Sequence, residues 1–363
     1  MKIKDLCSYA PKSRIKAGEA VENAKYLFFT SSADENKRYT DFQFDKEAII
    51  MGTGGNATLH YYNGKFSVST DCLVLFPNSK IKCKYLYYFF KSHMSVLEAG
   101  FKGAGLKHTN KKYIEEINVS KVPDLSTQEK IVSHLDTITE NIEKLNRELE
   151  LFDSLTKARF IEMFGRPFIN NMNWESRQIK NVVNEVKYGI SKPSVENGEY
   201  KYLRMNNLTY DGRFDLTDLK FISLDNDELE KCVVRKGDVL FNRTNSLDLI
   251  GKTADFDFDE DMVIAGYIIR IRLKETIVPK FFSMYMNTDE VKLHLRTIAK
   301  GAVNQANINA QELQGIPIYI PPIELQQQFA DFVKQVDKSR EEVKKSLEKT
   351  QQLYDSLMQE YFG

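Results

Sequence analysis

The chain repeats itself at a spacing of about half its length. The run Phe-Asp-Ser-Leu at residues 152–155 recurs as Tyr-Asp-Ser-Leu at 354–357. Such a repeat predicts two copies of one folding unit and a pseudo-two-fold molecule, and that symmetry suits two-part targets, DNA half-sites above all. Further pairs at similar spacings are Ile3–Leu6 with Ile179–Val182, Lys84–Leu86 with Lys280–Phe282, and Lys102–Ala104 with Lys300–Ala302.

Length and composition set the class of protein. The 363 residues suffice for two to three domains, and a 42% apolar content can build real cores. No run approaches the 18 apolar residues of a membrane span, and Met1–Leu6 lacks the apolar region of a signal peptide. The four cysteines have no close pair, so we expect neither a zinc site nor a disulfide framework but a reducing cytoplasm: Cys7, Cys72, Cys83 and Cys232.

The charge is zero in total but uneven along the chain. Residues 1–122 carry +7, residues 123–165 carry −4, residues 166–320 carry −1 and residues 321–363 carry −2. A DNA-binding protein needs a local basic surface rather than a basic total. The first globular region therefore fits a nucleic-acid partner better than the overall charge indicates.

The same four segments describe the predicted architecture, which is α/β (α+β). Two similar globular domains, 1–122 and 166–320, are each followed by one long helix, 123–165 and 321–363. In the first half, 48–51 and 72–76 have the pattern of buried strands, Tyr62–Phe66 has the Asn-Gly signal of a tight hairpin, and 84–97 is predicted to be a helix with an aromatic face. The second half parallels this, with predicted strands at 238–241 and 267–271 and a helix at 279–288.

Each long helix carries an apolar seam with heptad spacing. Ser126 is the expected N-cap of the first, with Glu129 completing a capping box, and Arg340 and Thr350 interrupt the seam of the second. A lone helix cannot bury such a stripe, so each helix packs either on its own domain or against the other helix; we favour an antiparallel coiled coil. At 1.5 Å per residue, roughly 35 residues would span about 50 Å, more than one DNA turn of about 34 Å. The predicted seam comprises Leu135, Ile138, Ile142, Leu145, Leu149, Val333, Val336, Val343 and Leu347.

Polar loops are the candidate binding sites. Asn242–Ser246 follows a predicted strand with an Arg and two Asn, which suits base or phosphate contacts, although an ordinary turn is the alternative. Its counterpart, Gly52–Asn56, is glycine-rich but lacks a nucleotide-binding fingerprint. Loops Lys102–Lys112 and Lys300–Asn307 mix lysines with Asn, Gln, His and Thr, as a DNA surface or merely a solvated loop would. The predicted DNA-binding residues are Thr53, Asn56, His60, Lys102, Lys107, His108, Asn110, Lys111, Arg204, Asn206, Asn242, Arg243, Thr244, Asn245, Lys300, Asn304 and Gln305.

An enzyme is not indicated. The sequence has no Ser-His-Asp spacing, no His-Glu-x-x-His, no phosphate-binding loop of the Walker type and no Asn-Pro-Pro-Tyr or Asp-Pro-Pro-Tyr run. Glu342-Val343-Lys344 mimics a nuclease motif but lies on the predicted seam helix. We therefore predict no catalytic residues and no metal ligands in this chain.

Three runs together carry a resemblance to a known family. They are residues 237–246, residues 202–208, and residues 318–327 entering the second long helix, with a weaker copy of the last at 122–132. Together with the order domain, helix, domain, helix, they make the whole chain similar to the specificity subunit of a type I restriction-modification system. The chain departs from the pattern at 52–56, where the Asn-Arg-Thr-Asn run is replaced.

The resemblance implies a division of labour. Two target recognition domains would each read one half of a bipartite double-stranded DNA site, and the two helices would set the spacing and dock two methyltransferase subunits. Those subunits would carry S-adenosylmethionine, so no cofactor is expected in this chain, and restriction subunits could join the complex. The competing hypotheses are a coiled-coil adaptor whose globular halves bind protein, and a stand-alone nuclease that would cleave DNA in a metal-dependent reaction.

Overall fold

A computed structural model describes residues 1–103, 105, 107–302 and 304–363. The predicted loops Lys102–Lys112 and Lys300–Asn307 include Ala104, Leu106 and Val303, which lie outside the described residues. The chain divides into two compact units: unit 1 contains Met1–Arg147 with Lys344–Gly363, and unit 2 contains Glu148–Val343. Each unit thus holds globular structure together with a segment of each long helix. The domain bounds 1–122 and 166–320 remain a prediction.

Unit 1 is built on a mixed sheet. In the described residues its strands lie in the order β1-β6-β4-β5-β2-β3, antiparallel except for β2 beside β5. The strands are β1 Cys7–Tyr9, β2 Tyr26–Phe29, β3 Arg38–Tyr39, β4 Phe44–Gly52, β5 Leu59–Val68 and β6 Cys72–Pro77. The helices are α1 Cys83–Ser92, α2 Met94–Ala99, α3 Lys111–Glu116 and the long α4 Leu125–Phe164, whose residues 125–147 belong to this unit.

Unit 2 repeats the mixed composition with smaller sheets. Their strand orders, in the described residues, are β10-β9-β15-β11, β14-β12-β16-β8, β13-β18-β17 and β19-β7. The strands are β7 Glu175–Gln178, β8 Val183–Tyr188, β9 Tyr200–Leu203, β10 Lys220–Ile222, β11 Val233–Val234, β12 Val239–Asn242, β13 Thr244–Asn245, β14 Thr253–Asp255, β15 Met262–Ile264, β16 Ile268–Leu273, β17 Lys300–Ala302, β18 Gln305–Asn307 and β19 Pro317–Ile320. The helices are α5 Asn226–Cys232, α6 Pro279–Met286, α7 Asp289–Ile298, α8 Ala310–Gly315 and the long α9 Ile323–Phe362, whose residues 323–343 belong to this unit.

The internal repeat is confirmed by local structure. Ile3–Asp5 and Ile179–Asn181 both form a single 3-10 turn. The N–H of Ile3 donates to the carbonyl of Ile117 at 3.0 Å, and the N–H of Ile179 donates to the carbonyl of Ile316 at 2.9 Å. The aligned runs at 84–86 and 280–282 also lie in equivalent helices, α1 and α6.

The predicted hairpin at Asn63–Gly64 is wrong. Strand β5 continues through both residues, and Gly64 pairs with Lys46 of β4 in an unbroken antiparallel register. Aromatic contacts hold this register: Phe44 and Phe66 lie 5.2 Å apart between ring centroids on opposite strands. Cross-strand packing therefore overrides the local turn preference, and the chain reverses instead at residues 53–58.

The first long helix begins differently from the prediction. Its first turn is capped by Asp124 rather than Ser126, because one oxygen of Asp124 accepts from the backbone N–H groups of Ser126 and Thr127, both at 3.0 Å. Hydrogen bonds from Thr127 and from these amides hold the pKa of Asp124 below its ordinary value. A carboxylate at the positive end of the helix dipole favours the same start.

Both long helices have 40 residues, and within each unit their segments pack together. In unit 2, Phe160 and Phe164 contact Phe329 with centroid distances of 5.4 and 5.6 Å, while Asp153 accepts a hydrogen bond from Arg340. Later residues of α4 thus meet earlier residues of α9, which makes the segments antiparallel.

In unit 1, His134 Nδ1 lies 3.1 Å from the Tyr361 hydroxyl. Leu135 there shares the core with Met358 and Phe362. The helix ends also contact domain cores, because Phe160 stacks on Phe281 and Phe362 lies 5.2 Å from Tyr85. Within each unit the long helices therefore pack both against each other and on the globular domain, so both alternatives that the sequence left open occur.

Burial along the seam is uneven. The buried members are Leu135, Leu145, Val333 and Val336, whereas the half-buried members are Ile138, Ile142, Leu149, Val343 and Leu347. Arg340 is buried although it is charged, and its guanidinium lies near the Phe152 ring. Among the described residues no helix is long and apolar enough to cross a membrane.

Candidate DNA interface

Two loops that the sequence analysis singled out separately lie together in unit 1. Gly55 donates to the carbonyl of Lys107 at 2.9 Å, and Thr109 donates to the carbonyl of Thr53 at 3.0 Å. The approach is close at position 54, where a Cβ would lie 3.2 Å from the His108 ring. We name this pair of loops, Thr53–Asn56 with the described residues of 102–111, the domain 1 loop pair.

Most predicted binding residues of the domain 1 loop pair are exposed: Asn56, Lys102, Lys107, His108, Asn110 and Lys111. Among the described residues, no carboxylate forms an ion pair with Lys102 or Lys107, so both ammonium groups face solvent without a counter-charge from the chain. Lys111 pairs with Glu115 at 3.5 Å, and Asn110 accepts from the N–H of Tyr113 as the cap of α3. Lys102 and Lys107 are thus the residues of this pair best placed for phosphate contacts.

His60 does not belong to this surface. Its side chain is only 5% exposed, its Nδ1 lies 2.9 Å from a Glu35 oxygen, and its ring packs against Phe29. Because side chains on a strand alternate between faces, His60 lies on the same face of β5 as Tyr62 and Phe66, which also contact Phe29. We therefore remove His60 from the predicted DNA contacts.

The second unit joins the equivalent two loops by a small sheet. Thr244 and Asn245 of β13 pair with Asn307 and Ala306 of β18, and β18 pairs in turn with β17. The N–H of Ile308 also donates to the carbonyl of Arg243 at 2.9 Å. We name Arg243–Asn245 together with the described residues of 300–307 the domain 2 loop pair.

Arg243 is the cation at the centre of the domain 2 loop pair. Its guanidinium lies 4.8 Å from the centroid of the Tyr188 ring, and its backbone N–H donates to the carbonyl of Tyr267. Within the described parts of the chain, no carboxylate pairs with this guanidinium. The planar guanidinium of an arginine beside an aromatic ring suits bidentate contact with guanine or phosphate.

Asn242 is a structural residue rather than a surface one. Its side chain is fully buried and donates to the carbonyls of Thr244 and Tyr267, both at 3.1 Å, while its oxygen accepts from Asn245 at 2.9 Å. All of its polar atoms are therefore committed to shaping the loop. We remove Asn242 from the predicted DNA contacts; Thr244 is also mostly buried, and Asn245 is half-buried.

The remaining predicted residues of unit 2 divide into two groups. Lys300, Asn304 and Gln305 are exposed in the domain 2 loop pair, although Lys300 pairs with Glu312 at 2.5 Å. Arg204 lies elsewhere, because its guanidinium binds Asp218 at 2.7 Å. Asn206 is exposed next to it, and none of the hydrogen bonds described for these residues joins them to the domain 2 loop pair.

Two tyrosines beside Arg243 were not predicted from the sequence as residues of this site. Tyr188 and Tyr267 are 43% and 51% exposed. Each adjoins a glycine: a Cβ at Gly189 would lie 2.3 Å from the carbonyl oxygen of Ala265, and a Cβ at Gly266 would lie 2.3 Å from the hydroxyl oxygen of Ser191. The paired Tyr-Gly and Gly-Tyr dipeptides were the available sequence signal for this close approach.

No metal centre is evident in the part of the chain that the structure describes: no group of three or more His, Cys, Asp or Glu side chains could hold an ion. The four cysteines are free and buried. Burial raises the pKa of the Cys72 thiol to about 11, which leaves it protonated and inert near neutral pH.

Comparisons with known proteins agree on one family. A family model described as "Type I restriction modification DNA specificity domain" matches residues 1–151 and again 171–352. The EcoKI type I restriction enzyme specificity subunit of Escherichia coli is 20% identical over 377 aligned residues, which cover 98% of this chain and 77% of that protein. A sequence from Methanocaldococcus jannaschii is 25% identical over 194 residues, which cover 52% of this chain and 45% of that protein. The chain thus spans less than half the length of the M. jannaschii protein and about three quarters of the length of the EcoKI subunit.

A solved structure shows the same fold. The S subunit of a type I restriction-modification system from M. genitalium superposes with a TM-score of 0.68 at 16% identity, covering 100% of this chain and 95% of that one.

Proposed function

This chain belongs to the type I restriction-modification DNA specificity family, and on that premise we propose that it selects a bipartite double-stranded DNA site for a methyltransferase complex. The domain 1 loop pair would contact one half-site and the domain 2 loop pair the other. The chain itself is a non-catalytic subunit, and the chemistry belongs to its partner subunits. The partners we propose are two methyltransferase subunits, which would carry S-adenosylmethionine, with restriction subunits where the system has them, in the cytoplasm.

The observation that carries the proposal is the repetition of one arrangement in both units. In each, a loop after a central strand is hydrogen-bonded to a second polar loop that precedes a long helix. Each arrangement carries a cation that no described carboxylate neutralises: the exposed Lys107 in one and the half-buried Arg243 in the other. Two similar readers in one chain fit a target with two separate parts.

The long helices supply the second element of the proposal. Forty residues at 1.5 Å per residue give each helix a length of about 60 Å. We propose that the antiparallel segments set the gap between the half-sites and present docking surface to the methyltransferase subunits. The predicted boundaries 123–165 and 321–363 would then mark the spacer elements.

Adenine methylation mapping tests the proposal directly. The full chain would be co-expressed with the methyltransferase subunit encoded beside it, and methylated positions would be mapped across host DNA by single-molecule sequencing. We expect one split motif, two short blocks separated by an unspecified gap. A stable complex that methylates no such motif would favour the adaptor hypothesis instead.

Single substitutions assign the half-sites. Arg243→Ala is expected to relax base preference in one block and Lys107→Ala to weaken methylation through the other domain, because a base or phosphate contact contributes about 1–3 kcal/mol. Matched controls are Arg235→Ala and Lys80→Ala, which alter exposed cations outside the two loop pairs. If Arg243→Ala leaves the motif unchanged, the assignment of the domain 2 loop pair is wrong.

A further inference from the structure

A buried lysine lies behind the domain 2 loop pair. Lys292 of α7 is 4% exposed, and its Nζ donates to the carbonyl of Gly251 at 2.7 Å. The same ammonium lies 4.5 Å from the centroid of the Tyr210 ring. Among the described residues it forms no ion pair with a carboxylate, and its direct contacts are the Gly251 carbonyl and the Tyr210 ring.

Gly251 connects this lysine to the loop that carries Arg243. The N–H of Gly251 donates to the carbonyl of Asn242 at 3.1 Å, and the N–H of Asn242 donates to the carbonyl of Lys252 at 2.8 Å. Gly251 has φ +76°, and a Cβ there would lie 2.4 Å from Leu295 of α7. The turn before β14 is therefore held tightly between α7 and the base of the loop.

The hydrogen bonds of Asn242 link the position of this turn to the neighbouring residues of the loop. Its buried amide joins the carbonyls of Thr244 and Tyr267, and Arg243 directly follows it in the chain. Displacement of the Gly251 carbonyl would shift the backbone at Asn242 and hence the direction of the Arg243 side chain. A chain of only two hydrogen bonds thus separates the Lys292 ammonium from the residue before Arg243.

The hydrogen bond that Thr253 donates to the Gly251 carbonyl cannot replace the one that Lys292 donates. Thr253 Oγ1 also donates to the Gly251 carbonyl, at 3.0 Å, but Thr253 is only two residues away along the same strand segment. Its bond shapes the turn locally. The bond from Lys292 comes from a separate helix, and so it fixes the turn relative to the core of the domain.

We infer that Lys292 is a positioning residue for the DNA-reading loop Arg243–Asn245, and that it determines base selection at one half-site without touching DNA. The inference rests on the proposed function, in which Arg243 contacts DNA. Specificity is sensitive to such support, because bidentate contacts require donors held in a defined plane and direction.

The test uses the full chain with its methyltransferase subunit and a DNA library in which either block of the motif is randomised. Lys292→Met keeps an unbranched, largely apolar side chain that is one atom shorter and removes the donor. We expect discrimination between cognate and mismatched bases to fall about tenfold at the block assigned to Arg243, and to stay unchanged at the other block. Lys236→Met, at an exposed lysine paired with Asp259, is the control and should alter neither block.

Two further measurements separate positioning from a loss of folding. Lys292→Gln retains an N–H donor on a side chain that is one bond shorter than that of lysine. We expect this variant to recover part of the discrimination. All variants are compared at a pH and temperature where circular dichroism shows them folded. Affinity for DNA without the motif should be unchanged, since phosphate contacts do not depend on loop direction to the same degree. If Lys292 only stabilised the fold, its substitution would reduce base discrimination at both blocks and would also weaken non-specific binding.

The outcomes are distinguishable. If Arg243→Ala broadens its block while folded Lys292→Met does not, the positioning role is refuted and the proposed function stands. If Arg243→Ala changes nothing, the proposed function of this loop fails first. Should Lys292→Met not fold, folded Lys292→Gln decides: a smaller broadening of the same block supports the role of the Lys292 bond to the Gly251 carbonyl, and an unchanged block overturns it.

Discussion

Gln128 and Gln326 make the same three hydrogen bonds at the start of the two long helices. Gln128 is fully buried; its oxygen accepts from the N–H of Lys82 at 2.8 Å, and its amide nitrogen donates to the carbonyls of Lys80 and Pro123 at 3.2 and 2.8 Å. The amide therefore ties the first turn of α4 to the residues just before α1.

Gln326 repeats the pattern in unit 2. Its oxygen accepts from the N–H of Val278 at 2.9 Å, and its nitrogen donates to the carbonyls of Thr276 and Pro321 at 3.1 and 2.8 Å. In each unit the direction in which the helix leaves the domain is thus fixed by a fully satisfied buried amide.

Replacing such an amide should be costly. Gln326→Met is expected to lower the free energy of unfolding by about 2–4 kcal/mol, because it removes the partner of the buried Pro321 carbonyl and of the partly buried Val278 N–H and Thr276 carbonyl. Thermal melting of the full chain measures the effect. Gln328→Met, at an exposed position on the same helix, is the matched control, and equal melting temperatures for the two variants would contradict the role of Gln326.

Arg340, the charged residue that interrupts the apolar seam of α9, should be strongly coupled to Asp153 in its effect on stability. Asp153 accepts from both Arg340 and Arg213, the latter at 2.9 Å, and Arg340 is buried. Asp153→Ala is expected to destabilise the chain by more than Arg340→Met, since it strands a buried cation whereas the reverse change leaves Asp153 paired with Arg213.

A double-mutant cycle tests that coupling. The double variant Asp153→Ala/Arg340→Met should be more stable than the sum of the single changes requires, by about 1–3 kcal/mol. Denaturant unfolding of all four chains supplies the cycle. Additive single effects would show that the ion pair contributes no specific interaction.

The apolar seam offers a paired test on one helix. Leu145→Asp places a carboxylate at a buried seam position, whereas Leu151→Asp places it at a side chain that is 60% exposed. We expect the first change to lower the melting temperature sharply or abolish soluble expression, since burying an unpaired charge costs several kcal/mol, roughly 3–5. The second should change little, and identical melting curves would argue against burial of the seam in solution.

Stability should depend on pH through Lys292. Burial lowers the pKa of its ammonium to about 7 in the folded chain, below the ordinary value of 10.5. The folded state therefore binds fewer protons than the unfolded state between these two values, and the stability of the chain rises with pH in that window. The cost of the buried charge is fully present below pH 7 and is relieved as the pH rises.

Comparison with Lys292→Met isolates this effect. The unfolding free energy of the unsubstituted chain minus that of the variant should increase by up to about 2 kcal/mol between pH 7 and pH 9. Lys236→Met should give a flat difference, because carboxylates beside Lys236 raise its pKa above 10.5, outside the window. A flat profile for Lys292→Met as well would show that the ammonium is not buried in solution.

Local pattern was enough to predict part of the regular structure of this protein. The repeat, the strands around Ile49 and Leu240, the aromatic face of α1 and the two long helices all follow from apolar spacing within short windows. The same spacing identified Leu135 and Val333 as seam positions, because helical periodicity decides which side chains share a face. The loops that became the candidate surfaces were also visible, as polar runs after strands.

What the local pattern could not decide depends on neighbours far apart in the chain. Cross-strand aromatic packing placed the chain reversal at 53–58 instead of Asn63–Gly64, and pairing with Glu35 and the carbonyl of Tyr267 turned His60 and Asn242 inward. The roles of Gln326 and Lys292 likewise arise only when a helix meets a turn more than forty residues distant. The sequence by itself determined the duplicated elements and their apolar faces, since those are set by local periodicity; only the tertiary structure decided which polar groups are exposed, because burial and hydrogen-bond satisfaction are properties of the packed whole.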